Sequence, residues 1–242
     1  MSSETSMWVY LTQSPLLGLG LTLAAYMVAM FLHRKSHFHP LVNPVAITVG
    51  LVSLFLLSNG VPYAHYFDSA KFIHFLLGPA TVALAVPLAW QIKKIQDYFK
   101  PFMVGLVVGC LTSIISAGFL MALLGGSKVL VATMTAKAVT TPIAIAVTEQ
   151  FGGAPSISTL VVLTTGMFGA IMAKYVYQWL NITSDEVKGF ALGLNSHGVG
   201  TAHAFNINPN MGAFAGLAMG LNGILTTLLL PYMVPMFDWM IR

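Results

Sequence analysis

Uncharged apolar stretches of roughly 20 residues recur along this chain, each long enough to cross a hydrocarbon core of about 30 Å. They exist because charge is scarce. Lys and Arg number 11 and Asp and Glu 7 in 242 residues, 7% of the chain against about 25% in a soluble globular protein. With 57% of residues apolar, a water-soluble domain of this size could not cover its surface. The runs are continuous, which excludes a β-barrel, whose strands alternate apolar and polar over about ten residues. The fold class that follows is an all-α polytopic protein of the lipid bilayer. A lone cysteine, Cys110, excludes an intrachain disulfide and a Cys-based metal cluster, and neither cofactor nor metal is expected. Most basic residues fall in short loops, where they orient the chain. There is no basic arm for nucleic acid.

Residues 1–7 are polar and contain Glu4 but no Lys or Arg, so the run that follows lacks the basic start of a cleavable signal. It reads as a retained span at about 8–32. Seven further candidates lie at about 41–60, 72–92, 101–125, 129–150, 156–179, 188–205 and 212–236, giving seven or eight segments of one transmembrane domain, 1–242. Of these, 188–205 is short and glycine-rich. Arg34 and Lys35 follow the first candidate and Lys93, Lys94 and Lys100 the third, which places the N-terminus outside the cytoplasm. Eight spans also put the C-terminus outside; a re-entrant 188–205 puts it inside.

Asn43-Pro44-Val45-Ala46-Ile47-Thr48-Val49 shares four of seven residues with Thr141-Pro142-Ile143-Ala144-Ile145-Ala146-Val147. Lys100–Leu106 shares four of seven with Lys188–Leu194, in the same order. These matches define candidate repeats 36–125 and 128–205, each of three spans and therefore inverted relative to one another, flanked by 8–32 and 212–236. Chance similarity between apolar segments is the competing reading.

Two segments carry candidate chemistry. Pro142 has no N–H for the carbonyl of Ala138 and must break the fifth span, leaving Thr141 to cap a half-helix with Pro142 at its first position. A half-helix starting at the midplane directs unpaired N–H groups and a positive dipole end inward, a place for an anion. Lys137, three and four residues before Thr140 and Thr141, shares their face and needs a cavity or a partner at that depth. The competing readings are a snorkelling lysine and a ligand-free kink. The second segment is Asn195-Ser196-His197-Gly198-Val199-Gly200-Thr201-Ala202-His203. Its glycines permit a helix break near Gly198, and its polar groups are expected to converge on the first break. His197 could hold an anion or carry a coupled proton, with ordinary packing of His197, His203 and the glycines as the alternative. Glu149, seven residues beyond Pro142, is a further proton-coupling candidate or an interfacial residue. Gly78, Pro79, Pro87 and His74 mark a kink or pore lining, and His33, His37 and His39 a basic cap more readily than a metal site.

The segments KAVTTPIAIAVTEQFGG at 137–153 and NSHGVGTAHAF at 195–205 together resemble the paired signature of the LrgB/CidB membrane proteins, and the similarity in span order covers roughly 15–237. That resemblance implies a bacterial inner-membrane location, an antiholin-like or murein-hydrolase-export role and a small LrgA/CidA-type partner. It also implies kinship with chloroplast glycolate/glycerate translocators and with bacterial proteins linked to pyruvate uptake. This chain departs from the family pattern at Ala136 and Ala138, which replace Pro and Ser. It departs again at His203, where arginine is usual, and at Asn206, Asn208 and Asn210, where acidic residues are common. Two functions follow as expectations: a transporter of small monocarboxylates, or a regulatory subunit that transports nothing. No HExxH motif, nucleophile elbow or pair of intramembrane carboxylates suggests an enzyme. Faces rich in Gly, Ala and Met suit a homodimer.

Overall fold

The computed structural model describes residues 15–36, 42–83 and 92–239, together with Val86 and Ala89. Glu4, His37, His39, Pro87 and the side chain of His74 lie outside the described residues. The chain is a polytopic all-α membrane protein. It packs as two units divided after Ala83. Among the described residues four helices are long and apolar enough to cross a membrane: Leu17–Lys35, Phe99–Leu123, Pro155–Trp179 and Pro209–Met233.

The first unit contains α1 (Pro15–Lys35), α2 (Pro44–Asn59) and α3 (Tyr63–Ala83). Asn43 starts α2 by accepting from the amides of Val45 (2.9 Å) and Ala46 (3.2 Å), and Gly60, at φ 62°, ends it. A left-handed residue after the last turn is where glycine costs least. Gly18 lets α1 approach α3 closely, since a Cβ there would overlap Ser69 Oγ, and the hydroxyls of Thr22 and Tyr66 meet at 2.7 Å beside it. The expected loop at 61–71 is helical from Tyr63. Its charges, Asp68 and Lys71, pair one turn apart on an exposed face and so do not interrupt the helix.

The second unit begins with the short α4 (Ile92–Asp97), then α5 (Phe99–Leu123), α6 (Lys128–Thr135), α7 (Thr141–Gln150), α8 (Pro155–Trp179), α9 (Asp185–Ile207) and α10 (Pro209–Met233), closed by a 3-10 turn at Pro235–Phe237. The interval expected as a span at 129–150 does not cross, and 188–205 takes the re-entrant of its two expected courses; each turns back on itself. Thr133 Oγ1, on α6, accepts from the amide of Ala154, beyond the end of α7, at 2.9 Å. A straight span would separate those residues by about 30 Å. Likewise Asn208, after α9, donates to Asp185 at its start (2.8 Å), and Asn210 donates to Glu186 (2.9 Å). The order is therefore span, hairpin, span, hairpin, span. Phe102 of α5 stacks on Phe190 of α9 at 4.5 Å between centroids and meets Phe214 of α10 at 5.2 Å, so those three helices start at one end of the unit. At the other end Phe237 packs with Ala122 and Val131, and Lys128 pairs with Asp238 at 3.0 Å. The two hairpins thus enter from opposite ends.

Both sequence matches fall on helix starts: Asn43 and Thr140 precede Pro-bearing first turns, and Lys100 and Lys188 open α5 and α9. The candidate repeat 36–125 straddles the boundary between the units.

The second hairpin is seated backbone against backbone on α10. A Cβ on Gly193 would overlap the carbonyl of Ala215, and one on Gly189 the carbonyl of Met211. A main chain cannot swing aside as a side chain can. Gly193→Ala is expected to cost about 1–3 kcal/mol through forced backbone shifts, read as a lowered unfolding temperature in detergent. Gly220→Ala, with open space around its Cβ, serves as the silent control. Equal stability of the two variants would contradict this seating.

Candidate functional site at the hairpin tips

An arm of 8 residues, α6, and one of 10, α7, reach about 12 and 15 Å, half the thickness of a hydrocarbon core. The segment joining them, Ala136–Thr140, therefore sits near mid-depth. Pro142 forces the break, as its missing N–H requires. Thr140, at φ −68° and ψ 150°, is the residue that precedes the new helix, one position earlier than the expected Thr141, and its side chain makes no capping bond. Pro142 and Thr141 occupy the first turn, so the amides around them are the unpaired ones.

In the second hairpin the fold point is His197, at φ 39° and ψ −126°, rather than Gly198. Such a conformation on a non-glycine residue costs about 1–3 kcal/mol unless its surroundings impose it. They do here: the ring is buried, its Nε2–H donates to the carbonyl of Val162 at 3.0 Å, and Gly166 leaves the space it fills. Gly169 likewise accommodates Ser196 and Asn195. Gly198 and Asn195 are exposed, while Ser196, Gly200 and Thr201 are buried, Thr201 donating to Met219 Sδ at 3.7 Å.

The two tips are joined by a residue that the sequence reading did not single out. Asn222, buried in the middle of α10, donates one N–H to the carbonyl of Ala138 (2.8 Å) and the other to that of Leu194 (3.1 Å). Its Oδ1 faces Thr226 Oγ1 at 3.5 Å, and that hydroxyl lies 3.3 Å from Cys110 Sγ on α5. The signal was available: an amide between Leu221 and Gly223 in an otherwise apolar span carries an insertion cost that needs a reason. Next to this junction Lys137 donates to Ser113 Oγ of α5 at 3.1 Å. Among the described residues no carboxylate pairs with it.

The structure therefore brings Lys137, Thr140, Thr141 and the tip of the second hairpin to one depth. It does not bring His203 or Glu149 there. His203, about 9 Å back along its arm from the fold point, lines a cavity at the hairpin base, and Glu149 is exposed at the outer end of α7.

The model of the LrgB-like family matches residues 22–236. The chain belongs to the LrgB-like family. Three bacterial relatives give the range of similarity within it. An uncharacterized protein of Haemophilus influenzae is 32% identical over 190 residues, 78% of this chain and 82% of the relative. A Staphylococcus epidermidis protein named holin-like protein CidB is 28% identical over 217 residues, 90% of this chain and 94% of that one. A Bacillus cereus protein named antiholin-like protein LrgB is 27% identical over 224 residues, 93% and 97%. No solved structure matches the chain. Within this LrgB-like chain, each motif that carried the resemblance runs from a hairpin tip along its second arm.

Proposed function

We propose that this protein is a secondary transporter of small monocarboxylates of the glycolate, glycerate or pyruvate kind, with its site where the two hairpin tips meet, and that it is not an enzyme. The observation that carries this reading is Lys137: an ammonium group at mid-depth, held by a neutral hydroxyl and, among the described residues, by no carboxylate. A lysine at that depth costs about 2.5–3.5 kcal/mol on insertion scales, and an anionic substrate would supply the missing counter-charge. The start of α7 and the start of the second arm of α9 add positive dipole ends beside it. Thr140 and Thr141 offer hydroxyls, and the exposed Gly198 offers approachable backbone, around the same point.

The positive-inside rule orients the second unit with Lys100, Lys174 and Lys188 on the cytoplasmic side of a bacterial inner membrane. Three crossings and two re-entrant hairpins then carry the end of α10 outside. We further infer a homodimeric core with an LrgA/CidA-type small partner.

The second reading is a regulator of murein hydrolase activity that transports nothing, and it draws on the names holin-like and antiholin-like carried by the relatives. Uptake of labelled glycolate and pyruvate into proteoliposomes, with and without the small partner, separates the two. Uptake above empty vesicles is expected; its absence under both conditions would leave the regulatory reading. The same vesicles test coupling. If His197 carries the coupled proton, His197→Gln retains substrate-for-substrate exchange and loses accumulation driven by an inward proton gradient. Full gradient-driven accumulation in that variant would leave His197 as the anchor of the tip alone.

A further inference from the structure

At the base of the second hairpin, between it and the C-terminal end of α8, lies a cavity of about 460 Å³. Lys174, Lys188, Asp185, Asn181 and His203 line its polar side, and Ala173, Leu192 and Met211 its apolar side. The cations are in excess. Among the described residues Lys174 makes no ion pair. Asp185 is shared: one carboxylate oxygen accepts from Asn208 at 2.8 Å, and the other lies at 4.0 Å from Lys188 Nζ. The volume falls within the roughly 300–1,000 Å³ of ligand pockets, far more than a two- or three-carbon acid fills. None of Lys137, Thr140 or Thr141 reaches it. Tyr175 and Trp179, 60% and 80% exposed on the same turn of α8 or the next, mark the depth at which aromatic residues meet headgroups.

We propose that this cavity binds an amphiphilic organic anion, its acidic group between Lys174 and Lys188 and its apolar chain along Leu192 and Met211. An anionic phospholipid of the surrounding leaflet and a free medium-chain acid share that chemistry. The full-length protein in phosphatidylcholine nanodiscs is titrated with octanoate by calorimetry, beside Lys174→Gln/Lys188→Gln and the control Lys100→Gln. Both lysines of the double variant point into water-accessible space, so folding is expected to survive, and thermal unfolding checks it. The double variant is expected to raise the octanoate Kd at least tenfold, whereas Lys100→Gln and Lys137→Met leave it within twofold. The Lys137→Met arm keeps this cavity separable from the hairpin-tip site. Adding phosphatidylglycerol identifies the source: if the lipid is the occupant, it abolishes octanoate binding and raises the unfolding temperature of the wild type alone, and if the free acid is, octanoate binds unchanged. Equal response of the wild type and a folded double variant to both octanoate and phosphatidylglycerol would overturn the proposal.

Discussion

Asn222→Asp, which exchanges an NH2 group for an oxygen, is expected to be the most damaging single substitution in the second unit. The wild-type amide spends both of its N–H donors on carbonyls of different hairpins, Ala138 and Leu194. An ionised aspartate offers those carbonyls only lone pairs, and a protonated one can satisfy a single carbonyl. Leaving a charge buried and unpaired costs about 3–5 kcal/mol, and each orphaned carbonyl about 1–3 kcal/mol. Asn222→Ala, which merely abandons the two carbonyls, should lie between the wild type and the aspartate in unfolding temperature. Labelling of the buried Cys110, linked to Asn222 through Thr226, should rise in both variants as the packing around the tips loosens. Unfolding of Asn222→Asp within a degree of the wild type would show that the tips are held by other means.

Lys137→Met should separate function from folding in the opposite direction. Methionine nearly matches the lysine in length and carries no charge, so the variant loses one hydrogen bond to Ser113 Oγ while escaping the insertion cost of the ammonium. Its unfolding temperature is expected to equal or exceed that of the wild type. Uptake of a labelled monocarboxylate should fall at least tenfold, because a lost charge-assisted contact is worth about 1.5–3 kcal/mol. A well-folded Lys137→Met protein with unchanged uptake would remove the anion site from the hairpin tips.

The positions of both helix breaks were legible in the sequence because their causes are local. Proline lacks a donor wherever it stands, and a run such as Asn195–His203 is too polar and too rich in glycine for an ordinary lipid-facing turn. The displacement by one residue, to Thr140 and to His197, came from contacts the sequence does not display: at His197 it is the carbonyl of Val162 and the space at Gly166 that hold a histidine in a conformation better suited to its glycine neighbour. That 188–205 returns was one of two courses the sequence left open, and that 129–150 returns was not legible. An apolar interval such as 129–150 has the same hydropathy in either case, and the difference lies in Thr133 meeting Ala154 and Asn208 meeting Asp185. Once the return is known, the place of His203 follows, since an arm that turns at 197 carries residue 203 back toward the base. Tyr63 as the start of α3 was hidden by the charges of Asp68 and Lys71, which pair with each other on the helix surface.

Asn208 performs two tasks with one side chain: its Nδ2 holds Asp185 at 2.8 Å, and its Oδ1 caps α10 by accepting from the amide of Met211 at 2.7 Å. Together with Asn210 on Glu186, it makes the second hairpin a closed clasp whose arms cannot splay without breaking charge-assisted bonds. The clasp closes on the first turn of the helix whose middle carries Asn222. Hairpin and helix are joined at both ends of this stretch, about 20 Å apart, and seated backbone on backbone between them, so a tilt of one must be answered by the other.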